Sequence, residues 1–181
     1  MNEQIKNQFQ KTQVEKESTS LFKSELYDPC KISWDEIKET VFDLIRTNCG
    51  EEIFNDPYFT KEVIETLFND PQSIVVLLRS AEKKIIGYQL AVPDSEQPEG
   101  TASYIYATDI YPEFQGKSLV EKLSKLTEDE MKRRGYQFMT RDSAIYNGYA
   151  LAIEKAYGDR IIEKKNHRSD YGAQRYFKIK L

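Results

Sequence analysis

Histidine occurs once in this chain, at His167, and cysteine twice, at Cys30 and Cys49. One histidine excludes a multi-histidine metal centre, and two cysteines in neither a paired nor a ligand-like spacing argue against a disulfide framework. No metal is expected. No run approaches the roughly 18 apolar residues of a membrane-spanning helix, and the start, Met1-Asn2-Glu3-Gln4-Ile5-Lys6, lacks an apolar secretory core. A cytoplasmic protein without a membrane partner is therefore expected. Positive charge is also scarce: 26 Lys and Arg stand against 30 Asp and Glu, a net charge of −4. Lys164, Lys165, Arg168 and Arg175 make a small basic cluster, but the negative balance argues against nucleic acid as a partner. His167, among those residues, reads as a surface side chain.

What the chain does have is enough apolar content for one core: 39% of 181 residues are apolar and 31% are charged. Its charge is unevenly placed. Residues 1–100 carry 11 Lys/Arg against 19 Asp/Glu, and residues 101–181 carry 15 against 11, so the halves stand at −8 and +4. Two readings are open: ordinary variation over a solvated surface, or an anionic ligand on the C-terminal half and a cationic one facing the N-terminal half. Residues 1–30 are expected to be an N-terminal arm, helical or flexible; simple disorder is one reading, and an arm that docks on its own domain or on a second copy in a homodimer is the other. Residues 31–181 form the domain.

Within that domain Ser33-Trp34-Asp35-Glu36 has the form of a capping box, followed by a helical face of Trp34, Ile37, Val41, Leu44 and Ile45 that Gly50 ends. A second helix follows Thr60 and stops at Asn69-Asp70-Pro71. The apolar runs 73–79 and 84–92 read as a hairpin of central strands, with Gly87 marking a bulge or a close backbone approach. The acidic segment 93–100 reads as an exposed loop.

The chain is organised around residues 104–135. Tyr104, Ile105, Tyr106, Thr108, Ile110 and Tyr111 are strand formers, and Pro112 stops the ladder because it has no N–H to give. From Leu119 onward Leu119, Val120, Leu123, Leu126 and Met131 fall in one helical stripe. Between strand and helix lies a short polar turn. The first N–H groups of the helix are unpaired there, and with the positive end of the helix dipole they make a seat for phosphate. An ordinary strand-to-helix connection is the plainer reading of the same geometry. Strands at 136–140, 160–164 and 176–181 and a helix at about 146–157 complete the order.

Gln115-Gly116-Lys117-Ser118-Leu119-Val120 resembles the acetyl-CoA signature of the GNAT superfamily of N-acetyltransferases: Gln or Arg, two residues, Gly, one residue, then Gly or Ala. Gln115 and the approach from Pro112 to Lys117 match. Both later small positions depart, to Ser118 and Val120. Gly there lets backbone approach pyrophosphate without a Cβ in the way; Ser118 costs little, whereas Val120 either enters the core or crowds the cofactor. The element order from about residue 31 to 181 is similar to the family's layout. The resemblance implies an α/β (α+β) GNAT fold, a mixed and mostly antiparallel sheet flanked by helices, with strands splayed at the CoA site. It also implies acetyl-CoA as cosubstrate and an amine acceptor, with Ile110, Tyr111, Gln115, Gly116, Lys117, Ser118, Leu119 and Val120 along the cofactor.

A second family motif resembles Asn147 through Gly158: Asn147, Ala150 and Gly158 keep its spacing, and the family's Asn contacts the pantetheine. The family's Tyr, which protonates the departing thiolate, falls on Glu154. Tyr157 lies about one turn further on and is the catalytic acid candidate, or else an amphipathic cover for the helix end. Asp109, the only carboxylate in its strand, is the candidate general base. Two functions follow: an N-acetyltransferase working by direct attack in a ternary complex, or a GNAT-fold acyl-CoA-binding module without turnover.

Overall fold

A computed structural model describes residues 21–146 and 148–181. Asn147 and most of the N-terminal arm lie outside the described residues. The arm's described part departs from the expectation of helix or flexible chain: Lys23–Leu26 is a strand, β1, pairing antiparallel with the next strand from Lys23 opposite Arg79 to Leu26 opposite Val76. Arg79 Nε donates to Glu25 Oε1 at 2.5 Å across that pair.

Helix α1 spans Trp34–Cys49 and α2 spans Lys61–Asn69. The start of α1 is held by Glu36, whose Oε1 accepts from the Ser33 N–H at 3.0 Å, and α2 by Thr60, whose hydroxyl accepts from the Val63 N–H at 3.2 Å. Gly50 ends α1 at φ 87°, a conformation that favours glycine. Strands β2 (Ile74–Arg79), β3 (Ile85–Pro93) and β4 (Ala102–Ile110) follow, then α3 (Leu119–Arg133), β5 (Phe138–Ala144), α4 (Tyr149–Tyr157), β6 (Ile161–Ser169) and β7 (Gly172–Lys180). The expected order of two helices, three strands, helix, strand, helix and two strands is present, with β1 added in front.

Among the described residues seven strands form one open sheet in the order β1-β2-β3-β4-β5-β7-β6. Every pair is antiparallel except β4 with β5. The sheet is buried on both faces. Val75, Leu77, Tyr88 and Leu90 pack under α1 and α2, while Ile74, Val76, Leu78, Met139, Phe177 and Ile179 pack under α3 and α4. That two-sided burial is why β2 reads as an unbroken apolar run rather than an alternating one.

Two irregularities shape the site. Where β2 meets β3 the register shifts between Leu78 and Arg79, and Gly87 passes so close to β4 that a Cβ there would lie 2.7 Å from the Asp109 carbonyl oxygen. Where β3 meets β4, Leu90 faces Ala107 but Ala91 faces Ile105, leaving Tyr106 bulged out. A bulge bends its strand and strengthens its twist. Consistently, β4 pairs with β5 over Ala102, Ser103 and Tyr104 only, opposite Phe138, Met139 and Thr140, and then the two strands part.

Candidate active site

The split between β4 and β5 is the centre of the site. Beyond Tyr104 the edge of β4 that faces β5 has no strand partner among the described residues, so its backbone N–H and C=O groups are available to a ligand lying in the opening. Tyr104 and Asp142 stand on either side of it, joined by the Tyr104 hydroxyl, which donates to Asp142 Oδ2 at 3.1 Å.

At the far end of β4 the chain turns into α3. Pro112–Phe114 is a single 3-10 turn, and the Gln115 side chain closes it by donating to the Ile110 carbonyl at 2.9 Å and to Asn48 Oδ1 at 3.0 Å. Gly116 lies at φ 73° with nothing near its absent Cβ, so glycine is needed there for the backbone and not for space. Ser118 lies at φ 53°, left-handed for a residue that has a side chain. Glycine at this position would serve the backbone conformation as well as close approach to a pyrophosphate, and serine here is strained by about 1 kcal/mol. Among the described residues no side chain caps the first turn of α3 from its N-cap, and residues 115–118 are exposed. Lys117 Nζ lies 5.2 Å over the Phe114 ring, a cation at the mouth of the same turn.

The side chains of the expected cofactor residues divide. Ile110 and Leu119 are buried in the core, so only their backbone faces outward. Tyr111 gives its hydroxyl to Asp43 Oδ2 at 2.8 Å. Val120 is 46% exposed, which corrects its place in the apolar stripe: the inward face of α3 runs through Leu119, Leu123, Thr127 and Met131, and Val120 stands one residue, about 100°, off that line. It is a surface residue beside the turn.

Beneath α3 lies a buried polar group that the sequence did not announce. Gln89 Nε2 donates to Thr108 Oγ1 at 3.0 Å and to Ser124 Oγ at 3.4 Å, while its Oε1 is buried without a hydrogen-bond partner. Arg141, the first residue of β5 past the split, has its Nε shut off from solvent and equally unpartnered. Orphaned buried polar atoms are rare and mark places where a ligand or water completes the bonding.

Tyr157, the last residue of α4, is half-buried against the core, with the Arg160 guanidinium 5.3 Å over its ring. Burial first, and then the neighbouring Glu128 carboxylate, pushes its phenol up to about 12, so it keeps its proton at neutral pH. Glu154 is bound to Lys164 at 3.0 Å and to Arg175 at 2.8 Å, and these partners hold it below the usual carboxyl range. A carboxylate so held has no proton to give. Asp109 sits 8% exposed on the α1 and α2 face, where the Tyr88 hydroxyl donates to its Oδ2 at 2.7 Å. Burial pushes it up to about 6.

On that same face a cavity of about 480 Å³ opens beside the split, lined among others by Phe59, Tyr104, Tyr106, Asp142, His167 and Tyr171. Asp109 is not among its lining residues. Phe59 gathers the wall, its ring centroid 5.1 Å from that of Tyr106 and 6.4 Å from that of Tyr171. The Tyr106 hydroxyl donates to the Tyr58 carbonyl, and the Tyr171 hydroxyl to Asp56. His167, read from sequence as a surface residue, reaches across β7 to place Nε2 2.6 Å from Asp142 Oδ1. Sequence reasoning missed this pair because 25 residues separate its members; only the β5-β7-β6 order brings them together.

No family model matches the sequence, and no curated protein matches it. Solved structures do. A GCN5-related N-acetyltransferase from Kribbella flavida shares 17% identity at a TM-score of 0.68, covering 91% of this chain and 100% of its own. The fold is that of the GNAT acetyltransferases. An aminoglycoside 6'-N-acetyltransferase in complex with coenzyme A matches at 14% identity and TM-score 0.66, over 87% of this chain and 96% of its own. A spermidine N-acetyltransferase from Vibrio cholerae matches at 15% and 0.64, over 89% and 94%. The expected GNAT architecture, a mixed sheet flanked by helices and splayed between β4 and β5, is thus present. No helix among the described residues is long and apolar enough to cross a membrane.

Proposed function

We propose that the protein is an N-acetyltransferase that moves the acetyl group of acetyl-CoA to a primary amine by direct attack in a ternary complex. The observation that carries this reading is the split between β4 and β5, flanked by two differently equipped sites. On one side is the exposed, N–H-lined turn at Gly116 to Ser118 with Lys117, suited to a pyrophosphate. On the other is an aromatic cavity holding a carboxylate, suited to an amine. The unpaired edge of β4 and the orphaned Gln89 and Arg141 atoms fit an elongated cosubstrate with amide groups lying between the two. Coenzyme A in the aminoglycoside acetyltransferase structure of the same fold, and the amine acceptors named for the fold's relatives, support it.

In the reaction the neutral amine nitrogen forms a bond to the thioester carbon, the C–S bond breaks, the thiolate leaves, and the proton shed by the nitrogen passes to solvent. A thiol with an ordinary pKa of about 8.5 is a tolerable leaving group, so side-by-side binding supplies most of the rate. Tyr157, protonated at neutral pH, is the residue available to donate a proton to that sulfur. Release of free thiol from acetyl-CoA, dependent on both protein and amine, tests the reading; none over a panel of amines, with acetyl-CoA bound, contradicts it.

One observation favours a second reading, a GNAT-fold module that binds acyl-CoA without turnover. Glu154 stands where the family has its acid, and it is locked between Lys164 and Arg175. The same experiment separates the two.

A further inference from the structure

We propose, resting on the acetyl-transfer reading, that the acceptor is a small primary amine with an aryl-bearing apolar body and no anionic group. Its ammonium sits on Asp142 and its body lies against Phe59, Tyr106 and Tyr171.

Charge decides the first part. Asp142 faces the cavity with one oxygen taken by the Tyr104 hydroxyl at 3.1 Å and the other by His167 Nε2 at 2.6 Å. A carboxylate offers about four acceptor positions, so both oxygens retain room for an ammonium while their two partners fix the plane of the group. No lysine or arginine is among the described residues lining the cavity. Of the basic residues on the adjoining strands, Arg175 is committed to Glu154 and Asn166 and Lys164 to Glu154, while Arg141, next to Asp142 in β5, points to the opposite face of the sheet. An acceptor carrying a carboxylate or phosphate meets no lysine or arginine there and is repelled by Asp142.

Shape and surface decide the second part. A volume of about 480 Å³ lies in the range of small-molecule sites. A polyamine needs several acidic groups spaced along it, and the lining offers one carboxylate; Asp56, close by, already accepts from Tyr171. Phe59 and the two rings gathered on it present faces and edges to the body, and an amine next to an aromatic wall also gains from cation–π attraction.

The test uses the full chain with 2-phenylethylamine, phenylalanine (the same body with a carboxylate), 3-phenylpropionate (the body without the ammonium) and spermidine. Binding to the coenzyme A complex is read by calorimetry, and turnover by thiol release from acetyl-CoA. Phenylethylamine is expected to bind at least about tenfold more tightly than the other three, and Asp142→Asn to lose about tenfold or more of that affinity with coenzyme A binding unchanged. Gln174→Lys, which adds a positive charge to the cavity wall without removing a hydrogen bond from Asp142, reverses the preference between phenylethylamine and phenylalanine. Tighter binding of phenylalanine or spermidine overturns the assignment, as does failure of all four to bind while coenzyme A binds. Binding of phenylethylamine without thiol release leaves the assignment standing and overturns acetyl transfer instead.

Discussion

Replacing Asp109 by Asn should stabilise the protein, and only above a definite pH. The carboxyl is 8% exposed, and burial pushes it up to about 6, with the hydrogen bonds from Tyr88 and Asn48 opposing that shift. In the unfolded chain it titrates at an ordinary 3.8. The folded state therefore holds the proton more tightly. Its contribution to stability is full below about pH 4 and is lost as pH rises toward 6, at about 1.4 kcal/mol per pH unit. From 3.8 to about 6 the loss comes to about 3 kcal/mol at neutral pH, an upper value because the site relaxes around the charge. Asn keeps an oxygen for the Tyr88 hydroxyl and carries no charge. Urea unfolding from pH 4 to 8 should show Asp109→Asn more stable than the parent by up to about 3 kcal/mol at pH 7 and no more stable at pH 4. A variant less stable at pH 7, or a gain equal at both pH values, would refute the burial argument and point to a charged, functional Asp109.

Other outcomes follow from particular residues. Gly87→Ala places a Cβ 2.7 Å from the Asp109 carbonyl and 2.8 Å from Ile110 Cγ1, so it should cost about 2 kcal/mol or more in chemical unfolding. Ser118→Gly should relieve the positive φ and raise stability by about 1 kcal/mol, whereas Ser118→Asp, which sets a negative charge at the start of α3, should weaken coenzyme A binding by a similar amount in calorimetry. Tyr157→Phe should lower kcat by about 10²-fold and leave coenzyme A affinity intact; activity lost below detection with binding preserved would make Tyr157 the essential acid.

Much of this architecture was legible because its signals are local. The capped start of α1, the Thr60 cap, the two-sided apolar run of β2 and the stripe of α3 each identify an element from neighbouring residues alone. Gly87 announced the close approach of β4 for the same reason. Strands β6 and β7 extend well past the segments expected, and residues 163–168 are all exposed, so they carry no apolar alternation to read. Strand β1 is four residues long and mostly polar, held by pairing with β2 rather than by its own composition. The cofactor turn was visible as a motif, but the left-handed Ser118 and the outward Val120 depend on how the chain leaves β4. The acceptor cavity was the least legible part. Its wall joins Phe59, Tyr106 and Tyr171, and its charge joins Asp142 to His167, residues that meet only through the order of strands.

Acetyl transfer itself is tested most directly by following a labelled acetyl group. The protein is incubated with acetyl-CoA labelled in the acetyl carbon and with 2-phenylethylamine and spermidine in turn, and thiol release and labelled amide are measured in the same reaction. One labelled amide per thiol released, with neither formed when protein or amine is left out, is the result predicted. Tight binding of acetyl-CoA with neither thiol nor amide formed from any amine would contradict the account and leave a binding module in its place.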